Sequence, residues 1–390
     1  MDATSKSDAW SLRDLKMKVF DAVVIGTGGI GSAAIYHLAK HGLRVAGIDQ
    51  FTVAHDQGSS HGQSRIIRQA YFEHPDYVPL LRRAYQLWHE LETETETNLF
   101  DQIGLVEFGP PHETLIQGIQ ASARQHNLAI ETLSARESQE RFPLFRVPEE
   151  MVAIFEPTAG VLHVESCVKS HIRAAVAHHA ELHLNCRVNR IDLESNPIVL
   201  ATNSERFQTE RLIVCGGAWT SKLLPIPVKL KVARKHIHWF HTDDRRWEAS
   251  QPCPAFFYQR PQGYFYGFPA FDQFGVKVAE HSGADAIDDP AAVDRSPDPV
   301  DEQRVHEFIS TQLVNVNLER TRHEVCLYTL SEDEHFIVDS HPSNPRVAFA
   351  AGMSGHGFKF ASVLGEILAN LVLHGGSPHP IDFLSLARFR

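Results

Sequence analysis

Apolar and polar positions along the 390-residue chain change period from segment to segment. Near the start, residues 22–25 are a short apolar run. A Gly-rich turn follows, a helical stretch reaches His41, Gly42 stops it, and 44–48 begins a second apolar run. Two short runs around a segment long enough for a crossover predict strand, turn, helix, strand. Helical spacing recurs over 77–91, where Leu80, Leu81, Ala84, Leu87, Trp88 and Leu91 share a face, and again over 115–126. Strands are expected at 182–193, at 211–215 running into Gly216-Gly217, and at 347–351. A long final helix sets Phe360, Val363, Leu364, Ile367, Leu368, Leu371 and Val372 in one stripe, with Glu366 and Asn370 opposite. Between Pro225/Pro227 and about Glu324 lie aromatic strands and a Pro/Asp-rich connector at 288–299.

The signature of a nucleotide-binding sheet therefore stands at both ends of the chain, with different material between. The expected fold is α/β: a Rossmann-like cofactor domain, discontinuous in sequence (17–90, 150–224 and 325–390), and a second α+β domain on a mostly antiparallel sheet (91–149 and 225–324). Residues 1–16 are expected to be a loose extension, and Met17 is a candidate start.

Chemistry enters at Gly26-Thr27-Gly28-Gly29-Ile30-Gly31, a GxGxxG run directly after a strand and opening a helix. Gly26 permits the tight turn, Gly28 lets backbone approach a pyrophosphate, and Gly31 lets helix and strand pack closely. The helix N-terminus offers N–H groups to the anion. Asp49, at the end of the next strand, is placed to accept from ribose hydroxyls. The motif alone does not separate FAD from NAD, although its N-terminal position leans toward FAD.

Charge narrows the partners. Lysines and arginines number 37 against 48 acids, a net −11, which argues against a nucleic-acid protein. No run approaches the roughly 18–20 apolar residues needed to span a bilayer, and residues 1–20 make a poor signal peptide, so a cytoplasmic location is expected. Five cysteines without a CxxC pair read as reduced thiols. The 24 histidines show no metal-binding spacing, and no metal is expected.

Three further segments are distinctive: Gly58-Ser59-Ser60-His61-Gly62-Gln63-Ser64-Arg65-Ile66-Ile67-Arg68; Tyr264-Phe265-Tyr266-Gly267-Phe268-Pro269 leading to Gly275-Val276-Lys277-Val278-Ala279-Glu280-His281; and Cys326-Leu327-Tyr328-Thr329 before Ala351-Gly352-Met353-Ser354-Gly355-His356-Gly357-Phe358-Lys359-Phe360. In order and spacing, from about Val19 to the C-terminus, the chain resembles the monomeric sarcosine oxidase and N-methyltryptophan oxidase family of the glycine oxidase/D-amino acid oxidase superfamily.

The resemblance implies FAD, held covalently as an 8α-S-cysteinyl thioether by Cys326. A buried structural cysteine is the alternative for that residue. It implies that Lys277 assists the reaction of reduced flavin with oxygen, by stabilising developing negative charge. It implies that Arg68 and Lys359 grip a substrate carboxylate, the first as a bidentate fork and the second as a point charge. Arg65 and His61 match flavin-contacting residues, and Gly357 lies in the matching cofactor turn. His281, Tyr266 and Tyr328 match side chains around the bound amino acid, and Gly355 offers a carbonyl to its amine. Glu280 should face away from His281 and lie outside the site. No chemistry is attached to Cys215. Ser60 and Met353 depart from residues common in the family and put pocket size in question.

The activity so implied is oxidation of a secondary amino acid, sarcosine first, to an imine that water hydrolyses to glycine and formaldehyde, with O2 leaving as H2O2. N-methyl-L-tryptophan or L-pipecolate is the alternative substrate, and an NAD(P)-dependent dehydrogenase or a non-catalytic flavin binder the alternative class. The family name implies a monomer.

Overall fold

Ala22, Val23, Val24 and Ile25 are apolar without alternation, as expected of a strand covered on both faces. In the computed structural model, which describes residues 16–283 and 285–389, they end the strand Met17–Ile25, the middle of an eight-stranded sheet. Parallel neighbours are Val45–Ile48 on one side and Arg206–Val214 on the other. Along its outer edge Arg206–Val214 pairs first with Ile198–Thr202, antiparallel, and then with Asn344–Ala351, parallel. The last strand thus returns the C-terminal part of the chain to the N-terminal one. Helices Gly29–Lys40, Val164–Ala177 and Ala361–His374 pack together over this sheet, and Gly365 allows the closest approach. A Cβ there would come within 2.5 Å of the Ala33 Cβ. Of the expected extension 1–16, residues 1–15 lie outside the described residues, and Met17 pairs with Arg206 as the first residue of its strand.

The second sheet has nine strands and is mostly antiparallel. Its period-2 pattern sorts side chains onto two faces. Phe240, Phe256, Tyr258, Phe265, Val276 and Val278 pack against Val305, Phe308 and Ile309 of the helix Pro299–Gln312. Ile237, Trp239, Phe257, Tyr266, Phe268, Ala279 and Cys326 form the opposite face, which looks toward the first sheet's strand ends. A three-stranded sheet, built around Gly160–His163 with Ser64–Ile67 and Phe100–Asp101, joins the two.

The strands Val152–Glu156 and Arg320–Leu330 pair within the second sheet. The expected boundaries at 150 and 325 therefore assign strands of the second sheet to the first domain. The strand expected over 182–193 is two strands, Glu181–His183 and Val188–Asp192, on different edges of the first sheet.

Candidate functional site

The glycines of the first turn act in two ways. Gly26 has φ +89°, and a Cβ on it would lie 2.3 Å from the Cys215 carbonyl oxygen; on Gly31 it would lie 1.8 Å from the Gly26 oxygen. Both are closed by the protein itself. Gly28 differs, because a Cβ there would meet only the Ser60 side chain, at 3.5 Å or more. The helix that follows has no acid in its first turn and no side-chain cap from Gly28, so its positive end is uncompensated by a carboxylate. Ser60 Oγ accepts from the Gly29 N–H at 3.0 Å. Asp49 accepts from the Thr27 N–H and hydroxyl at 2.7 and 3.0 Å and from the Phe51 N–H at 2.9 Å, holding the turn while still lining the space above it.

These residues border an elongated cavity of about 280 Å³ that runs on past Trp219 and Arg65 to Tyr328, Gly355 and Gly357. An open glycine face, a helix N-terminus and an acid after the second strand fit a dinucleotide laid along the first sheet, its far end reaching the second.

At that far end the loop 58–68 meets the strand Arg320–Leu330. Cys326 Sγ lies 3.4 Å from His61 Nε2 and accepts from Arg65 Nη2 at 3.3 Å. Burial pushes this thiol up, but the His61 and Arg65 cations more than offset it and hold it at about 6. Burial likewise opposes the charged His61 imidazole, yet the Cys326 sulfur and the Glu324 carboxylate raise it to about 10. Three other cysteines, Cys167, Cys215 and Cys253, are pushed up by burial. Cys326 is therefore the thiol with an electropositive setting.

Lys277 projects from Val276–Glu280 on the side opposite Val276 and Val278, toward the loop 58–68, as alternation requires. Its ammonium donates to the Gly62 and Ser64 carbonyls at 2.6 and 3.0 Å and sits over the Trp239 and Phe268 rings. Burial brings it down to about 7, with Arg65 acting in the same direction.

Beside this lies a second, smaller cavity of about 60 Å³, lined among others by Arg68, Phe72, Phe257, Tyr266, His281, Tyr328, Gly355 and Lys359. Gly355 has φ +81°, and a Cβ on it would strike the Tyr328 ring at 2.3 Å. Burial lowers His281 to about 3, so its imidazole is neutral, with Nδ1 3.2 Å from the Tyr328 hydroxyl. Arg68 is not a free fork. It donates to Glu73 at 2.8 Å, lies 3.2 Å from Glu107, and is stacked on the rings of Tyr71 and Phe72. Burial raises Glu107 to about 8 against the pull of Arg68, so that carboxyl is protonated at neutral pH. Burial opposes the Glu73 carboxylate, but Arg68, His356 and Lys359 together more than offset it and hold it below the usual carboxylate range. Lys359, in the turn Phe358–Phe360, donates to the His356 carbonyl at 2.8 Å, and burial lowers it to about 7.

Gly26, Gly28, Gly31, Asp49 and Gly357 border the long cavity, Arg68, Tyr266, His281 and Lys359 the small one, and Arg65, Tyr328 and Gly355 both; His61, Cys326 and Lys277 line neither and join them through Arg65 and the loop 58–68. One expectation changes and one gains a detail. Ser60 and Met353 border the long cavity and not the small one. Glu280 does face away from the site, but it is buried beneath the helix Pro299–Gln312 and paired with Arg304 at 3.1 Å. Sequence reasoning missed Glu73, Glu107 and Glu324. A glutamate inside the apolar stretch Leu105-Val106-Glu107-Phe108 was a usable signal, since a buried acid needs a partner or a proton.

Comparison with known proteins bears on the same site. A family model described as FAD dependent oxidoreductase matches residues 21–371. A monomeric sarcosine oxidase of Bacillus sp. (strain B-0618) is 38% identical over 375 residues, covering 95% of this chain and 96% of the relative. An N-methyl-L-tryptophan oxidase of Yersinia pestis (strain Pestoides F) is 38% identical over 376 residues, 95% of this chain and all of the relative. Among solved structures, NikD, an amino acid oxidase essential for nikkomycin biosynthesis, superposes with a TM-score of 0.83 at 23% identity, covering 94% of this chain and 97% of its own.

Proposed function

This chain belongs to the FAD dependent oxidoreductase family as a flavin amine oxidase, and on that premise we propose that it oxidises a small secondary amino acid, sarcosine before others, with O2 as acceptor. The observation that carries the proposal is Lys359. The ammonium is buried and donates to a backbone carbonyl, with Glu73 acting on it only from beyond hydrogen-bond reach, and a substrate carboxylate supplies a direct partner. Arg68 is balanced by Glu73, so it contributes shape and one side of the clamp while Lys359 contributes the uncompensated charge.

FAD, when bound, supplies the two-electron acceptor for the carbon–nitrogen bond. Gly26, Gly28, Gly31 and Asp49 hold its dinucleotide portion, and Cys326 is the proposed thioether ligand. The rest is done by the chain. Arg65, Arg68 and Lys359 place positive charge around the small cavity, which favours the neutral amine over the ammonium. Neutral His281 and the Tyr266 and Tyr328 hydroxyls offer hydrogen bonds without a strong base. The aromatic walls at Phe72 and Phe257 exclude water and confine the N-methyl carbon. Lys277 is the cation that meets charge developing on oxygen. The balanced reaction for sarcosine consumes O2 and water and yields glycine, formaldehyde and H2O2.

A cavity of about 60 Å³ holds roughly four to six waters at about 10–15 Å³ each, a size in keeping with the six non-hydrogen atoms of sarcosine. We read the enzyme as a monomer, as two of the relatives' names describe them. The test is peroxide release with sarcosine, N-methyl-L-tryptophan and L-pipecolate. Sarcosine is expected to give the highest kcat/KM, and a folded but colourless, peroxide-silent protein would overturn the proposal.

A further inference from the structure

We propose that Glu324 is a positioning residue that holds His61 as a cation facing Cys326 and so keeps the sulfur in its nucleophilic form for flavin attachment. The proposal rests on the reading of Cys326 as the attachment point. Its geometry is a series of three groups. Glu324 Oε2 lies 2.9 Å from His61 Nδ1, and His61 Nε2 lies 3.4 Å from Cys326 Sγ. Both ring nitrogens are thus engaged, one by a carboxylate and one by the sulfur, the arrangement in which an acid orients a base toward a nucleophile.

Strand alternation makes the series possible. Arg322, Glu324, Cys326 and Tyr328 sit at every second position of Arg320–Leu330 and share the face turned to the loop 58–68. Arg322 donates to the other Glu324 oxygen and lies over the Trp239 ring at 4.7 Å, so the carboxylate is held from behind. The sulfur itself faces His61, Arg65, Lys277 and Tyr266. Around His61 stand Glu324, Cys326, Arg65 and His55. Arg65 keeps its charge at any working pH, whereas His61 keeps a proton because two anions flank it. Glu324 therefore acts on the thiol only through His61.

Attachment joins sulfur to the flavin 8α-methyl carbon. The thiol and methyl hydrogens, with two electrons, pass in the end to O2 as H2O2. The thiolate, not the thiol, is the attacking form, so its population at a given pH sets the rate.

The test uses the full chain produced in a riboflavin-starved host. The ultraviolet absorbance of the thiolate is titrated against a Cys326→Ser blank, and acid-stable flavin is followed after FAD is added. The wild-type thiol is expected to titrate near about 6. In E324Q the midpoint moves up by about one pH unit, a tenfold change in the thiol–thiolate ratio. Attachment at pH 5 then slows about tenfold, and the gap closes by pH 9. E324D, which keeps the carboxylate, recovers part of the loss. Superimposable titrations and attachment rates for wild type and E324Q would overturn the proposal. If wild-type flavin is all released by acid, the attachment reading fails on its own, and the thiol titration still decides whether Glu324 acts through His61.

Discussion

Lys359→Met replaces a buried ammonium with an apolar side chain of similar length, and the structure says what each property should do. The ammonium stands at about 7 where an ordinary lysine stands at 10.5, chiefly because it is buried. That difference of 3.5 pH units, at about 1.4 kcal/mol each, makes the charged form cost the empty protein at most about 5 kcal/mol. The sign follows from proton binding. Between about pH 7 and 10.5 the unfolded chain binds the proton and the folded one does not, so stability rises with pH across that window. Below about 7 the cost is fully present. K359M should therefore melt at a higher temperature than wild type, by a margin that is largest at pH 6 and shrinks toward pH 10.

Binding should move the other way. Truncating one partner of a buried charge pair costs about 2–5 kcal/mol, so kcat/KM for sarcosine should drop on the order of 100-fold. Acetate, a carboxylate without an amine, isolates the effect as a competitive inhibitor. In wild type its Ki should rise up to about tenfold per pH unit above about 7, as the ammonium loses its proton; in K359M it should be weak and independent of pH. An acetate Ki that climbs equally in both proteins, or a variant less stable than wild type at pH 6, would refute the assignment of Lys359 as the uncompensated cation.

Further outcomes are expected elsewhere in the site. Wild-type protein precipitated with acid should carry its flavin into the pellet, whereas C326S should release it; free flavin from wild type would dismiss the thioether. K277M should slow reoxidation by oxygen far more than anaerobic reduction by substrate, measured separately by stopped flow, and equal slowing would remove Lys277 from the oxygen step. Glu107 is protonated up to about pH 8 while an unfolded glutamate ionises near 4.5, so wild-type stability should fall across that interval. E107Q should flatten the fall, and an unchanged pH–stability curve would show that Glu107 is already ionised.

Legibility in the sequence followed the range of the interactions concerned. The GxGxxG turn and Asp49 could be read because strand, turn, helix and strand lie within a few dozen residues and each glycine's role is local. Lys277 could be placed because period-2 alternation assigns it the face opposite Val276 and Val278 whatever the strand pairs with. The same rule sends Glu280 to the far face, but nothing local says that the helix Pro299–Gln312 covers that face and buries the carboxylate. The expected boundary at 325 divides the strand Arg320–Leu330, whose hydrogen bonds run to Lys231–Phe240 in the other sheet, a long-range pairing no local pattern announces.

The acids of the site were hidden for a related reason. Arg68 and Lys359 stand out by type and motif, whereas the charge they offer a ligand depends on Glu73, five residues beyond Arg68, and on Glu107, delivered by a separate strand. Counting the cations alone predicts a doubly charged clamp. Including the acids leaves Arg68 neutralised by Glu73, Glu107 protonated, and Lys359 with a backbone carbonyl for a partner. A single anionic group then balances the charge of the Arg68–Lys359 pair. That balance, set by which side chains the two sheets press together, is the physical basis of the proposal that the substrate carries one carboxylate and not two.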